Sequence, residues 1–497
     1  MLERRVRPDR RGATRRGSLA LSAGVAVLSL VLAACGSQLD PGTVAQVNGG
    51  AAGAQGGTVP GGDGSGTQAD GTAPGSTGGG AGSSTTGGGG TTGGDGGGGG
   101  GSAPTGDGAN APTGQTKAGG CDGFKNGPGI TDSTITIGNS SDISGPVPGL
   151  FEQSQDAVKA YVAYFNQTSD ICGRKLALKA YDSRTDASAD QQAYTKACDE
   201  TFAMVGSMSA FDSGGAGAAE GCGLPDIRTA AVTGDRDSCG TCFGAQSTNA
   251  AEFENAVPDY VKKNFPDAAA HAAMLYINAG AAAENGKIQA EAMGRRGMHF
   301  DYVQGIDVSE FNYAPYVQQM KDKGVNYVQM IASPAQFVRL AQAMQQQGFD
   351  PDVFMLDPTA YSPDYVENGG DAAEGTTVFV NFTPFEEASS NKEEQLYLSW
   401  LQQVKPGAKP GFFGLFAWSA ARLFVQQATA LGGKLTRDAM VQSVSKVDDW
   451  TANGLHSPQH VGSKHTGDCW RFLQLKGGKW TPVGGTKYAC NGVTTVN

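Results

Sequence analysis

The run Thr134-Ile-Thr-Ile-Gly138-Asn-Ser-Ser-Asp-Ile-Ser144-Gly-Pro146 holds both halves of one structural unit. Its first four residues are β-branched and suit a short strand, and Gly, Asn, Ser, Asp and Pro then take over as turn formers. Working outward, the same kind of short apolar run recurs at Lys175–Tyr181, Phe202–Val205, Ala272–Ile277, Tyr327–Ile331 and Val353–Leu356. The intervening stretches carry helical periodicity: Val158, Tyr161, Val162 and Phe165 share one face, as do Phe337, Leu340, Ala341 and Met344. The second of these helices is punctuated by Ser333 as N-cap, Pro334 in the first turn and Gly348 as the left-handed stop. Strands alternating with helices predict an α/β fold with parallel sheets covered on both faces.

In such sheets ligands bind beyond the carboxyl ends of the strands, where loops and helix N-termini meet. Three loops in that position are rich in small and hydroxylated residues: Gly138 to Pro146, Gly206-Ser-Met-Ser-Ala-Phe-Asp212 and Ala332-Ser333-Pro334. Hydroxyls and backbone N–H groups of this kind predict a polar cradle without strong charge.

Composition limits where folding occurs. Of the 497 residues, 85 lie between Gly36 and Gly120, with 34 glycines, no aromatic residue, no cysteine and six charges. That composition cannot offset its ordering entropy, so a disordered tether over 35–120 is expected, with a reach of roughly 50 Å for a Gly-rich coil. Ahead of it, seven arginines between Arg4 and Arg16 precede an apolar run from Leu19 to Ala34, shorter than the ~20 residues a membrane span needs. Residues 1–34 therefore read as an export signal. The sequence Leu32-Ala33-Ala34-Cys35-Gly36 resembles the lipobox of bacterial lipoproteins, which makes Cys35 the expected lipidation site and the first mature residue. Arg15-Arg16 resembles a twin-arginine signal, but Gly17-Ser18 follow where apolar residues are preferred, so the export route stays open. The formal charge of −11 divides as +5 over residues 1–35, −4 over the tether and −12 over 121–497. A folded part this acidic is a poor partner for nucleic acid.

Eight cysteines remain in the folded part: Cys121, Cys172, Cys198, Cys222, Cys239, Cys242, Cys469 and Cys490. An even number in an exported chain predicts up to four disulfides. Cys469 and Cys490 bracket an apparent hairpin, Trp470 to Leu475 and Trp480 to Val483, and are the expected partners. Cys239-Gly-Thr-Cys242 lies in a Gly/Asp/Ser loop without a helix behind it, which favours a structural bridge over a redox pair. His456, His460 and His465 with Asp468 nearby have donor types that suit zinc, but Pro458 opposes a helix that would present them together, so a solvated loop and no metal is expected.

Enzyme signatures are sparse. Between Gly280 and Gly286 lie five residues where a P-loop has four, and Ile288 stands where Ser or Thr would meet magnesium. Gly206-Ser-Met-Ser-Ala210 puts Met208 at the nucleophile position of a serine-hydrolase elbow. Neither an enzyme nor a cofactor is expected.

The order and spacing of Ile135-Thr-Ile-Gly138, Ser144-Gly-Pro146, Gly173-Arg-Lys-Leu176, Tyr181-Asp182, Val205-Gly206-Ser207, Gly223-Leu-Pro225 and Gly370-Asp-Ala-Ala-Glu-Gly375 resemble type 1 extracytoplasmic solute-binding proteins. The nearest branch is the leucine/isoleucine/valine-binding family, and the resemblance spans essentially 130–497. It implies two Rossmann-like lobes joined by three crossovers, lobe one from 121–250 plus 377–457 and lobe two from 251–376 plus 458–497. It further implies a monomeric, exported receptor on the outer face of the cytoplasmic membrane, which closes on a small polar solute (an amino acid, an amide or a short carboxylate) and passes it to ABC permease subunits. A competing expectation is a sensing or cell-wall-binding module without transport. By position, ligand contacts would fall on Ser144, Pro146, Ser209, Ala210, Phe211 and Thr233 in lobe one, and on Asn278, Ser333, Asp357 and Tyr361 in lobe two. Where amino-acid binders of the family carry an aromatic residue after the first strand of lobe two, this chain reads Asn278-Ala-Gly-Ala-Ala-Ala283.

Overall fold

A computed structural model describes residues 118–496. The expected signal segment, Cys35 and most of the tether lie outside the described residues.

The chain forms two twisted α/β layers of matching topology. The first sheet consists of β1 (Thr134–Ser141), β2 (Lys175–Asp182), β3 (Ala203–Val205), β4 (Asp226–Ala230) and β5 (Cys242–Gln246). Its spatial order is β2-β1-β3-β4-β5, with every pairing parallel. A short strand, β6 (Glu252–Glu254), follows. The second sheet takes β7 (Ala272–Ile277), β8 (Phe300–Ile306), β9 (Tyr327–Ile331), β10 (Val353–Leu356) and β11 (Thr377–Val380) in the order β8-β7-β9-β10-β11, so the first layout is repeated. Two antiparallel strands, β12 (Cys469–Lys476) and β13 (Lys479–Val483), extend it beyond β11, and β14 (Ala489–Cys490) pairs with β12. The final strand, β15 (Val493–Thr495), runs antiparallel to β6. In each parallel sheet the strand order reverses beside its first strand, which opens a crevice at the carboxyl ends.

Every strand and helix read from the sequence is present, including Ser333 as N-cap of the helix Pro334–Gln346 and Gly348 at φ +58° just past its end. One boundary moves. The stretch allotted to lobe one from residue 377 begins with β11, whose four residues are all buried between β10 and β12, with Met355 opposite Thr377 and Phe379 opposite Phe472. A run apolar enough to be covered on both faces belongs inside a sheet, so the chain re-enters lobe one after Val380.

There it adds the helices Lys392–Val404, Phe412–Leu431 and Arg437–Val444, of which the second is buried along most of its length. Trp418 at its centre is fully buried and donates to Glu393, which also pairs with Arg422 at 2.9 Å. No helix among the described residues is long and apolar enough to cross a membrane.

Three segments cross between the lobes, and they are hydrogen-bonded to one another. Ser247 N donates to Gln459 Oε1 at 3.0 Å, His460 N to Ser247 Oγ at 2.8 Å, and Ser457 N to Asn381 O at 2.7 Å. A hinge tied in this way can bend as a unit while its strands stay in register.

The eight cysteines form four disulfides: Cys121–Cys172, Cys198–Cys222, Cys239–Cys242 and Cys469–Cys490. The first closes a sequence separation of 51 and the third a separation of only 3. Loop-closure entropy then assigns about 4 kcal/mol to Cys121–Cys172 and about 2 kcal/mol to Cys239–Cys242. Urea unfolding of the paired Cys→Ser variants should show the larger loss for the first, and equal losses would overturn this ranking.

Candidate functional site

The loops leaving β1, β3, β4, β7, β9 and β10 converge on one cavity of ≈ 290 Å³ between the lobes. Lobe one contributes Pro146, Leu150, Met208, Ala210, Phe211, Val232 and the pair Phe412–Phe413. Lobe two faces them with Ile277, Ala279, Ala281, Ala282, Ile331 and Ala332, and Phe253, Phe379 and Trp470 line the cavity as well. The wall is predominantly hydrocarbon. Its acidic members are Glu252, Glu254 and Asp357, and among the described residues it includes no Lys, Arg or His.

The reason is visible in what the expected hydroxyls do instead. Ser209 Oγ donates to Asp142 Oδ1 at 3.0 Å, and Thr233 Oγ1 to Asp212 Oδ1 at 2.6 Å. Both residues are buried behind the wall rather than in it. Ser144 Oγ donates to Asp182 and remains exposed, outside the cavity. The polar cradle expected from these loops is thus turned inward. Asp142, fully buried, also receives Ser183 Oγ at 2.6 Å and the backbone N–H groups of Thr185 and Ala210 at 2.9 and 2.8 Å. Burial pushes its carboxyl up, against the downward pull of those donors.

Behind this layer five charged side chains are buried together. Asp226 Oδ2 accepts from Arg228, Arg236 and Tyr194 at 2.9–3.0 Å, Arg236 also reaches Asp190 at 3.0 Å, and Arg228 lies 3.3 Å from Asp212. Three carboxylates against two guanidiniums leave one negative charge in excess. Desolvation accordingly drives Asp190 up to about 6, with Arg236 opposing it.

Of the other expected contacts, Pro146, Ala210, Phe211, Ser333 and Asp357 line the cavity together. Asn278 is exposed and stands outside it. Tyr361 is in the core instead: its hydroxyl donates to Glu386 and accepts from Phe385 N at 2.7 Å, and its ring packs on Phe382 and Trp480. Ser333 binds back to Gln336, with Oγ donating to Oε1 at 2.9 Å. Asp357 accepts from Thr359 N at 2.7 Å through one oxygen, and desolvation raises its carboxyl to about 6. The histidines do not converge. His456 is buried, against the expected solvated loop, with its imidazole on Ser419 and the Ser457 carbonyl, whereas His465 pairs with Glu252 at 2.9 Å and His460 lies 4.0 Å from Asp468. Sequence reasoning missed Phe412, Phe413 and Glu254. A glycine-flanked aromatic pair, Gly411-Phe-Phe-Gly414, was the available sign for the first two.

The lobes touch beside the cavity. Ala281 N donates to Ala210 O at 2.8 Å, Gly234 N to Glu284 at 3.0 Å, and Asn285 Nδ2 to Val232 O at 3.1 Å. Gly280 sits at φ +51°, and a Cβ there would collide with the Ala210 carbonyl, so the close approach depends on glycine.

Two α/β lobes closing on a shared cavity through three bonded crossovers define a bilobed receptor. The chain belongs to the periplasmic binding protein family, whose model matches residues 134–479, a family of solute binders rather than enzymes. Among solved structures it is similar to the fatty acid ABC transporter substrate-binding protein from Thermomonospora curvata, at 17% identity and a TM-score of 0.62, covering 74% of this chain and 95% of that one. It is also similar to the branched-chain amino acid transporter substrate-binding protein LivJ of Streptococcus pneumoniae in complex with isoleucine, at 16% identity and a TM-score of 0.60, covering 72% and 99%. An ABC transporter solute-binding protein of R. palustris in complex with 4-hydroxybenzoate matches at 16% and 0.60, covering 72% and 98%. At these identities the likeness establishes the fold. A search of curated proteins found no match.

Two outcomes are expected. Asp142→Ala strands two hydroxyls and two backbone donors and should cost about 3 kcal/mol or more in denaturant unfolding, and a loss below about 1 kcal/mol would remove its role as the loop anchor. For Asp357, a folded value of about 6 against an ordinary 3.8 means that its contribution to stability is fully present below about 3.8 and is lost as pH rises through about 6. Asp357→Asn should therefore match the parent in melting temperature at pH 4 and exceed it at pH 7, whereas parallel profiles would contradict the assignment.

Proposed function

We propose that this protein is the solute receptor of an ABC uptake system and that its cleft takes a small solute with an apolar body and a neutral or cationic head. The observation that carries the reading is the cavity wall. Alanine, valine, isoleucine and phenylalanine side chains from both lobes surround the space, carboxyl groups are its ionisable members, and among the described residues a carboxylate ligand would find no side-chain cation there. On this reading the expected solute moves toward one whose bulk is hydrocarbon, which the binding of the loop hydroxyls to Asp142, Asp182 and Asp212 supports. Pro146, Ala210, Phe211, Ser333 and Asp357 are the proposed contacts from the sequence reading, joined by Phe413 and Val232. Similarity to ABC transporter binding proteins for a fatty acid and for branched-chain amino acids supports the transport role.

Contacts shared by the two lobes favour the closed state, and that state is what a permease recognises. Anchoring through lipid on Cys35, with the expected tether ending where Gly119 and Gly120 bond to Thr429 and Gly433, would hold the receptor near its permease at the outer face of the cytoplasmic membrane.

Calorimetric titration with six-carbon alcohols, amines, carboxylates and diols, alongside branched-chain amino acids and sugars, tests the reading. Binding should favour the apolar, non-anionic members. Gly280→Asn, which tolerates the left-handed backbone yet sets a Cβ against the Ala210 carbonyl, should weaken that binding at least tenfold. Preference for sugars or for short carboxylates would reject the proposed ligand class.

A further inference from the structure

β6 is the first strand formed after the chain leaves lobe one, and Glu252, Phe253 and Glu254 all line the cavity. The two glutamates are treated differently. Glu252 is satisfied, accepting from His465 Nδ1 and Thr466 N at 2.9 Å each. Glu254 is 2% exposed, and its Oε1 has no hydrogen-bond partner among the described residues. Its backbone is fixed, because β6 is held against β15 with Glu254 opposite Val493.

Beyond its own backbone N–H, the described surroundings offer its carboxyl no partner. Phe253, Phe379 and Trp470 are apolar over most of their surface, and the Trp470 indole N–H is bound to Gly467 O at 2.6 Å. The nearby Tyr327 hydroxyl donates to Gln329, whose amide in turn donates to Gln289 Oε1 at 2.8 Å. That relay ends at Gln289, another cavity residue, whose own amide nitrogen has no protein acceptor among the described residues. Glu254, a residue of the cavity wall, thus keeps a buried carboxyl oxygen unpaired. Leaving a polar atom unpaired in such a place costs stability unless a ligand pairs it. Burial without a counter-charge also pushes the Glu254 carboxyl well above the usual range.

We propose that Glu254 is a ligand-contacting, specificity-determining residue that accepts a hydrogen bond from an O–H or N–H donor on the solute. The inference rests on the cleft reading above and names which group reads the head of the solute. A matching leucine at this position would fill the space and remove the orphaned oxygen, so the glutamate is a cost that ligand recognition offsets.

The test uses the full chain with three probes of equal length: hexan-1-ol, n-hexylamine and hexanoate. The parent should bind the alcohol or the amine at least tenfold more tightly than hexanoate. In Glu254→Leu that preference should shrink at least tenfold while the melting temperature of the unliganded protein rises. Glu254→Gln keeps an acceptor, so it should hold the alcohol and lose the amine, and it serves where the leucine variant does not fold. Equal probe affinities in parent and variants would overturn the role of Glu254 and leave the cleft reading standing. A fall in unliganded melting temperature in both variants would mark Glu254 as structural and overturn the proposal. If no probe binds the folded parent, or if binding persists in Ala210→Trp with the cleft filled, the cleft reading fails and Glu254 with it.

Discussion

Five charges buried in lobe one, Asp190, Asp212, Asp226, Arg228 and Arg236, set the terms for the rest of the molecule. Once they are out of water each must be paired, and the pairing draws together the helix Ala187–Glu200, β4 and the loops after β3 and β4. Asp212 then holds Val232 N and Thr233 Oγ1, and Asp142 performs the same service for the loops after β1, β2 and β3. Hydrogen bonds to a buried carboxylate are short and directional, so the loops lose the freedom to offer those donors elsewhere. The face these lobe-one loops present to the cleft is mostly what remains, methyl groups and aromatic edges. An apolar site is therefore the outer surface of a strongly polar interior.

The α/β class, the strands β1, β2, β3, β7, β9 and β10 and the helix ends at Ser333 and Gly348 were legible because apolar period and capping chemistry act locally. β4 was not. Its sequence, Asp226-Ile-Arg-Thr-Ala230, reads as surface, because nothing local reveals that Asp226 and Arg228 neutralise each other inside the protein. β11 failed at a boundary for a related reason, since four residues do not declare which of two sheets will cover them. At the site, position was legible and orientation was not. The loops that carry Ser209 and Thr233 do reach the cleft, but whether a hydroxyl faces a ligand or a buried aspartate is decided by partners 67 and 21 residues away.

The two halves of the cleft differ in how firmly they are set. Lobe one is held by its ionic interior, whereas lobe two brings the helix N-terminus at Gly280 and the cap at Ser333 up against it. The bonds joining the lobes, Ala281 to Ala210, Asn285 to Val232, Gly234 to Glu284 and the exposed ion pairs of Lys409 with Asp364 and Glu367, are few and partly accessible, and the crossovers are tied to one another. Opening then breaks a small number of hydrogen bonds and exposed ion pairs that water can replace, while each core stays whole. Motion of this kind needs no strain within either sheet.

The missing basic residues of the cleft act beyond its walls. With −12 on residues 121–497 and no Lys, Arg or His among the described cavity residues, the charge balance favours cations over anions on approach, even with burial holding Glu254 toward its neutral form. Cations are concentrated there before any contact is made and anions are thinned, and ordinary salt weakens both effects over about 8–10 Å. Capture of an amine by this receptor would thus slow as ionic strength rises, whereas capture of an alcohol would proceed at the same rate in fresh or saline surroundings.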